Sequence, residues 1–461
     1  PDTRLWLSVH HVRVPKPVGI AGVALLLSAL IHVHGAAATV DVPPDYQVLA
    51  PVDGIGPVDR TRLDARIDRM WNDPALGSVK GLAVDAFASP SELEVDRGAD
   101  TALMPASTTK MLTAVAALKT FGPEARFATT VTRDGRRLVL VGGGDPQLTT
   151  VAVPRTINAN ASLARLARLT AESLSAEGIT SVSLRYDASL FSPPSEAPFW
   201  KKDFLAIGVV APITALSADG GRLNPPASPR SQDPPLTATQ AFARLLEQRG
   251  IRVTGEPVPG SAGGQEIARV ESPPMADLVE HMLLVSDNTE ADILAHQVGR
   301  EVLGEATFAG GAKATLRVLS DLGVDTAGIV LEDGSGLARS NRVTPRQLLE
   351  VLHAAMQTDP ATLWPVYTGL PVAGFDGSLA ARFSAPAARA ARGAVTGKTG
   401  TLTGTSTLAG LVSDRDGKLL TYAVMTNDVS VWTATGAIDD LLARVAGCRC
   451  AGAGASPSAA G

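Results

Sequence analysis

Ser107 and Lys110 stand three residues apart in "STTK", at the head of a long apolar stretch. On a helix, positions i and i+3 share a face, so the lysine amine can sit beside the serine hydroxyl. A buried ammonium gives up its proton readily, and the neutral amine can then take the serine proton. The start of such a helix adds positive potential and free N–H groups where an oxyanion would form. Two more short motifs follow in order. "SDN" places Ser286 and Asn288 at a break between two helical stretches. Ser286 supplies a hydroxyl that can relay a proton, and Asn288 offers both donor and acceptor to an amide. "KTG" is Lys398-Thr399-Gly400. Its lysine supplies a fixed positive charge for a carboxylate, and Gly400 lets an extended ligand lie against the strand. The next N–H, of Thr401, can complete an oxyanion hole.

Taken singly, each motif has a plainer reading: Ser107 and Asn288 as helix caps, Lys398 as a surface charge. Their joint occurrence, in order and with fitting local structure, favours nucleophilic acyl transfer. A phosphate loop is a poorer reading of "GAVTGKTGTL". The first glycine of a Walker loop stands five residues before the second, and Arg392 occupies that position. No G-x-S-x-G elbow exists, which leaves a Ser-His-Asp hydrolase unsupported. His281, His296 and His353 lack ligand spacing, so no metal or other cofactor is expected. The net charge of −5 and the lack of a basic run speak against nucleic-acid binding.

These side chains must be positioned by a chain of 461 residues, 45% of them hydrophobic. "STTKMLTAVAALKTFG" predicts a helix from Ser107 to a stop at Gly122. "MADLVEHMLLV" and "TEADILAHQVGREVL" predict helices on either side of "SDN". "AVTGKTGTL", "STLAGLVSD" and "KLLTYAVMTND" predict strands, with a hairpin turn at Asp416-Gly417. "GLAVDAF" and "LEVDR" read as paired strands, and a final helix covers Ile438 to Val445. The expected fold class is α/β: an antiparallel sheet flanked by helices, interrupted by a smaller inserted domain. That domain is expected at 150–271, between halves at 58–149 and 272–447. Residues 39–57 read as a linker, and 448–461 as a disordered tail with a frayed Cys448 and Cys450. Arg4, Arg13 and Lys16 precede the apolar run Val18 to Val33 and the small residues of "HGAAATV". That order reads as an export signal within 1–38, either cleaved or kept as a membrane anchor.

The S-x-x-K, S-D-N, K-T-G set resembles that of the penicillin-recognising serine enzymes. The blocks "PASTTKMLTAVAALKTFGPEARFAT", "LVGGGDPQLT", "LVSDNTEADILA", "EDGSGLARSNRVTP" and "AGFDGSLAARF" narrow it. They are similar to those of the D-alanyl-D-alanine carboxypeptidase/endopeptidase family, the low-molecular-mass class C penicillin-binding proteins. The resemblance implies a β-lactamase/transpeptidase-like catalytic domain in the cell envelope, acting on peptidoglycan stem peptides and binding β-lactams without a cofactor. Ser107 would be acylated, Lys110 its base, Ser286 and Asn288 the second motif, and Lys398 the carboxylate anchor. Thr399 and Thr401 would touch the terminal carboxylate. Arg339 in "GSGLARSN", with Leu402 and Thr403, would lie near the peptide side chain. Asp187 in "YDASLF" would meet the amino end of a diaminopimelyl group. The "GGGDP" and "DGSG" blocks read first as turns. Two alternatives share the motifs: a serine β-lactamase, which needs fast deacylation, and a non-catalytic sensor that binds penicillin or peptidoglycan.

Overall fold

The computed structural model describes residues 57–87, 93–151, 161–225, 227–357 and 360–452. The export segment and most of the expected linker and tail lie outside them. Among the described residues twelve strands follow in chain order: β1 (Val79–Ala86), β2 (Val95–Arg97), β3 (Ala128–Asp134), β4 (Arg137–Val141), β5 (Ser181–Asp187), β6 (Arg222–Asn224), β7 (Ala227–Arg230), β8 (Arg252–Pro259), β9 (Gln265–Glu271), β10 (Val395–Leu402), β11 (Thr405–Ser413) and β12 (Leu419–Asn427).

Five of them form the central sheet, in the order β10-β11-β12-β1-β2. All its pairings are antiparallel. Successive side chains on a strand point to opposite faces. Leu82, Val84, Tyr422 and Val424 therefore enter one core, with Leu63 and Ile67 of the helix Arg60–Trp71 and Ile438, Leu441 and Leu442 of the helix Val431–Ala446. Ala83, Ala423 and Met425 enter the opposite core, with Leu112, Val115 and Leu352. Helices thus cover both faces, and β1 is buried continuously from Gly81 to Ala86 rather than in alternation.

The helix Thr109–Phe121 is the deepest element. Every residue from Thr109 to Leu118 is buried, so it carries no polar face. It ends at Gly122, whose φ of 78° suits glycine. A second five-stranded sheet, in the order β8-β5-β4-β3-β9, begins at Ala128 and closes with Glu271. The helices Leu163–Ala176 and Pro234–Glu247 pack on it. Between β5 and β6, residues 191–216 contain no regular helix or strand. This stretch is nevertheless well packed: Phe191, Trp200, Phe204 and Ile213 are buried with Ile293, Phe308 and Leu337.

One expectation is corrected as far as Gly452. Cys448 and Cys450 are fully buried and joined by a disulfide, with Cα atoms 5.3 Å apart. Asp59 N–H donates to the Cys450 carbonyl at 2.7 Å, so this end of the chain is tied to the start of the first helix rather than frayed. No helix of the described residues is long and apolar enough to cross a membrane.

Candidate active site

Ser107 lies in a single 3₁₀ turn, Ala106–Thr108, that runs directly into the helix Thr109–Phe121. The turn is unusual at Ala106, whose φ is +49°. Two glycines make room for it. A Cβ on Gly336 would overlap the Ala106 carbonyl, and one on Gly400 would stand 2.5 Å from Pro105 O and 3.2 Å from Ser107 N. The space beside Gly400 is therefore taken by the turn that carries Ser107, which presses against β10. Sequence reasoning had reserved it for a ligand.

Lys110 is fully buried. Its Nζ lies 2.9 Å from Ser107 Oγ, 2.7 Å from Asn288 Oδ1 and 2.7 Å from Ser335 O. Asn288 Oδ1 and Ser335 O can only accept. A neutral amine has two hydrogens and one lone pair. With both hydrogens given to these acceptors, the lone pair faces Ser107. Burial lowers the Lys110 pKa to about 8, although Asp292, Asp333 and Asp287 pull it upward. Asp292, also fully buried, is raised well above the usual carboxyl range by burial and by Asp333. Both directions remove charge, which fits a neutral amine next to the serine.

Ser286 ends the helix Met275–Val285 in the left-handed conformation, with φ 61° and ψ 42°. A non-glycine residue adopts that conformation at a cost of roughly 1–2 kcal/mol. Here it terminates one helix, and Asp287 then caps the next, Asn288–Leu303, by accepting from Glu290 N at 3.0 Å. Lys398, fully buried in β10, donates to Ser286 Oγ at 2.8 Å and to Thr399 O at 2.9 Å. Burial, then the neighbouring Lys110, holds the Lys398 amine well below the usual lysine range. Burial thus disfavours the "fixed" charge read from the sequence, and an anion beside Lys398 would favour it.

Ser107, Ser286, Asn288, Thr399, Thr401, Leu402, Thr403 and Arg339 all line one cavity of about 730 Å³. Asn288 Nδ2 donates to Val209 O at 2.9 Å, so both ends of its amide are held by the protein. Arg339 Nη1 donates to Thr403 O at 2.8 Å. The structure does not bring Asp187 to this cavity. Its carboxylate accepts from Ser189 and from Ala262 N, and it lines a separate surface depression with Pro259 and Gly260.

Sequence reasoning missed three contributors. The "DGSG" block is more than a turn: Asp333 is buried and accepts from Trp200 Nε1 at 2.9 Å, Gly336 N at 2.9 Å, Ala338 N at 2.8 Å and Asn341 Nδ2 at 2.9 Å. That carboxylate fixes the loop whose Ser335 carbonyl holds Lys110. Asp292 grips the same loop through Gly334 N at 2.7 Å. Lys201, Phe204 and Val209 of the 191–216 stretch form one wall of the cavity. Among the described residues no cluster of His, Cys, Asp and Glu could hold a metal ion.

Comparison with known proteins identifies the family of the chain. Carboxypeptidase DacB of Mycolicibacterium smegmatis is 36% identical over 460 residues, spanning 96% of this chain and 98% of that protein. The D-alanyl-D-alanine carboxypeptidase of an Actinomadura species is 31% identical over 445 residues, 80% of this chain and 81% of that one. In fold, the chain is similar to penicillin binding protein 4 (dacB) from Haemophilus influenzae, with a TM-score of 0.67 at 22% identity over 83% of this chain and 98% of that one. Residues 63–230 and 223–445 match the D-Ala-D-Ala carboxypeptidase 3 (S13) family, and the chain belongs to that family.

Proposed function

We propose that the protein is a serine DD-peptidase that removes the terminal D-alanine from peptidoglycan stem peptides, or cleaves D-alanyl-diaminopimelyl cross-links, through an acyl-enzyme on Ser107. The observation that carries this reading is the three-way coordination of Lys110 Nζ by Ser107 Oγ, Asn288 Oδ1 and Ser335 O. Ser107 Oγ attacks the carbonyl of the penultimate D-alanine while its proton passes to the Lys110 lone pair. The N–H groups of Ser107 and Thr401, on adjoining segments, stabilise the oxyanion. Lys398 and Thr399 hold the terminal carboxylate. The proton taken up by Lys110 is relayed through Ser286, which Lys398 orients, to the departing amine, and Lys110 is neutral again. Water then hydrolyses the ester and frees Ser107. The same steps admit a β-lactam, whose ring opens on Ser107. Such a substrate places the enzyme in the cell envelope, and the apolar run Val18 to Val33 is consistent with export.

Intact mass during incubation with benzylpenicillin tests the reading. The native protein should gain a persistent penicilloyl adduct, and Ser107→Ala should gain none. Rapid loss of the adduct with release of hydrolysed penicillin would favour a β-lactamase. If the native protein shows neither adduct nor hydrolysis, the chemistry assigned to Ser107 fails.

The pH dependence follows from Lys110. Its neutral form is the base, so protonation below a pKa of about 8 removes activity. The second-order acylation rate with a fluorescent penicillin should therefore rise about tenfold per pH unit below that value and level off above it. A rate that is flat or falling between about pH 6 and 9 would exclude a neutral amine as the base.

A further inference from the structure

The corner that carries Ser286 is held from behind. Ser286 and Asn288 line the cavity of Ser107, whereas Asp287 and Glu290 line a second cavity of about 320 Å³ with His281, Gln147 and Arg222. The segment 286–290 is thus a wall between the two. Glu290 is buried, and both of its oxygens are engaged: Oε2 lies 2.7 Å from His281 Nδ1, and Oε1 accepts from Gln147 Nε2 at 2.8 Å. His281 belongs to the helix Met275–Val285, before the corner, and Glu290 to the first turn of the helix Asn288–Leu303, after it. Their contact joins the two helices across Ser286. Gln147 comes from the "GGGDPQL" turn that follows β4, and Asp145 shapes that turn by accepting from Gln147 N at 2.8 Å. Two turns further along the same helix, Gln297 Nε2 donates to Gly143 O at 2.7 Å, so the helix grips this turn at a second point.

Ser286 needs such support. Its φ is 61°, and a residue other than glycine stays in that region only where its surroundings determine it. Asn288 is fixed at both ends of its amide, by Lys110 and by Val209. Among the described residues the Ser286 hydroxyl is held from one side, by Lys398 Nζ at 2.8 Å. Of the two motif side chains, Ser286 is therefore the one whose place depends on the angle between the helices. Resting on the DD-peptidase reading above, we infer that Glu290 and His281 are positioning residues: their contact holds the Ser286 corner so that its hydroxyl meets the nitrogen of the departing amine. Both act through Ser286 from the far side of the wall. The "GGGDPQL" turn belongs to the same device, as the support that Gln147 gives to Glu290.

Two acyl donors with the same acyl part separate this role from a general loss of structure. In an acyl-D-alanyl-D-alanine peptide the C–N bond breaks as the nitrogen takes the proton that arrives through Ser286. In the matching acyl-D-alanyl thioglycolate the C–S bond breaks with its electron pair left on sulfur. No proton is needed there, and Lys110 gives its proton to solvent. kcat/KM for each donor is read per acylatable Ser107, counted from the end-point penicilloyl adduct. Glu290→Leu and His281→Ala should each lower the ratio of peptide to thiolester turnover by about tenfold or more. Glu290→Gln keeps the length of the side chain. It can accept from Gln147 through Oε1 and donate to a neutral His281 ring through Nε2, so it should hold the ratio within about threefold of native. If Glu290→Leu does not fold, the half-buried His281 carries the test through His281→Ala. An unaltered ratio in the folded variants, whether both donors slow together or neither does, overturns the inference and leaves the peptidase reading standing. A Glu290→Gln ratio as low as that of Glu290→Leu overturns it too, because the contacts would then have no bearing on Ser286. A native protein that releases D-alanine from no peptide overturns the peptidase reading, and this inference with it.

Discussion

Replacing Lys110 by methionine should slow acylation of Ser107 by a thousandfold or more, to about the level of general background reactivity. The amine is the group 2.9 Å from Ser107 Oγ with a lone pair free to face it. Methionine fills much of the same volume and supplies no base. Arginine should not rescue, because a guanidinium stays protonated throughout the working range. The substitution also leaves Asn288 Oδ1 and Ser335 O without their shared donor, at about 1–3 kcal/mol each if nothing replaces it. Melting temperature must therefore be read beside adduct formation by intact mass. A Lys110→Met protein that melts like the native one yet acylates at the native rate would exclude Lys110 as the base.

The second large effect concerns a residue with no side chain. Gly336→Ala should lower stability by about 3 kcal/mol or more and slow acylation at least about tenfold. Two costs combine there. Gly336 has a φ of +84°, and its new Cβ would overlap the Ala106 carbonyl and stand 2.9 Å from Thr109 Oγ1. Ala106 precedes Ser107 and already has a positive φ, so relief of the overlap must move Ser107. Gly328 separates the two costs. Its φ is +74°, but a Cβ there meets nothing within 4 Å. Gly328→Ala should cost only about 1 kcal/mol and leave acylation unaltered. Equal losses in the two variants, by denaturant titration, would show that contact with the turn carrying Ser107 has no consequence.

The motif residues were legible in the sequence because their chemistry resides in side chains. Ser107, Lys110, Ser286, Asn288 and Lys398 are rare combinations of groups at fixed spacing, and the structure brings all five together. What holds them was much less legible. Ser335 and Val209 act through backbone carbonyls, and any residue has one. Asp333 reads as a turn residue by composition, and only its burial among four N–H donors reveals its work. Asp187 was assigned by resemblance alone, and no spacing argument tied it to the other groups. Among the elements, the strands carrying β-branched and small apolar runs were found. β9 was not, because only Ala268 and Val270 of its seven residues are buried. The last helix begins at Val431, earlier than Ile438, since "VWTATG" contains β-branched residues and a glycine that weaken a helical reading.

The order of the central sheet has a consequence for when the enzyme becomes able to react. β12, the last of the described strands in chain order, is an interior strand that lies between β11 and β1. Its register joins Asn427 to Val79, far apart in sequence. β1 therefore has no long partner until β12 has been made, and contacts so distant in sequence form slowly. The helix behind Ser107 packs on that sheet through Leu112 and Val115. Until β12 joins β11 to β1, the sheet beneath this helix is incomplete, and so is the burial that lowers the Lys110 pKa. The burial that sets the acidity of the Lys110 amine thus depends on a strand-to-strand contact between distant parts of the sequence.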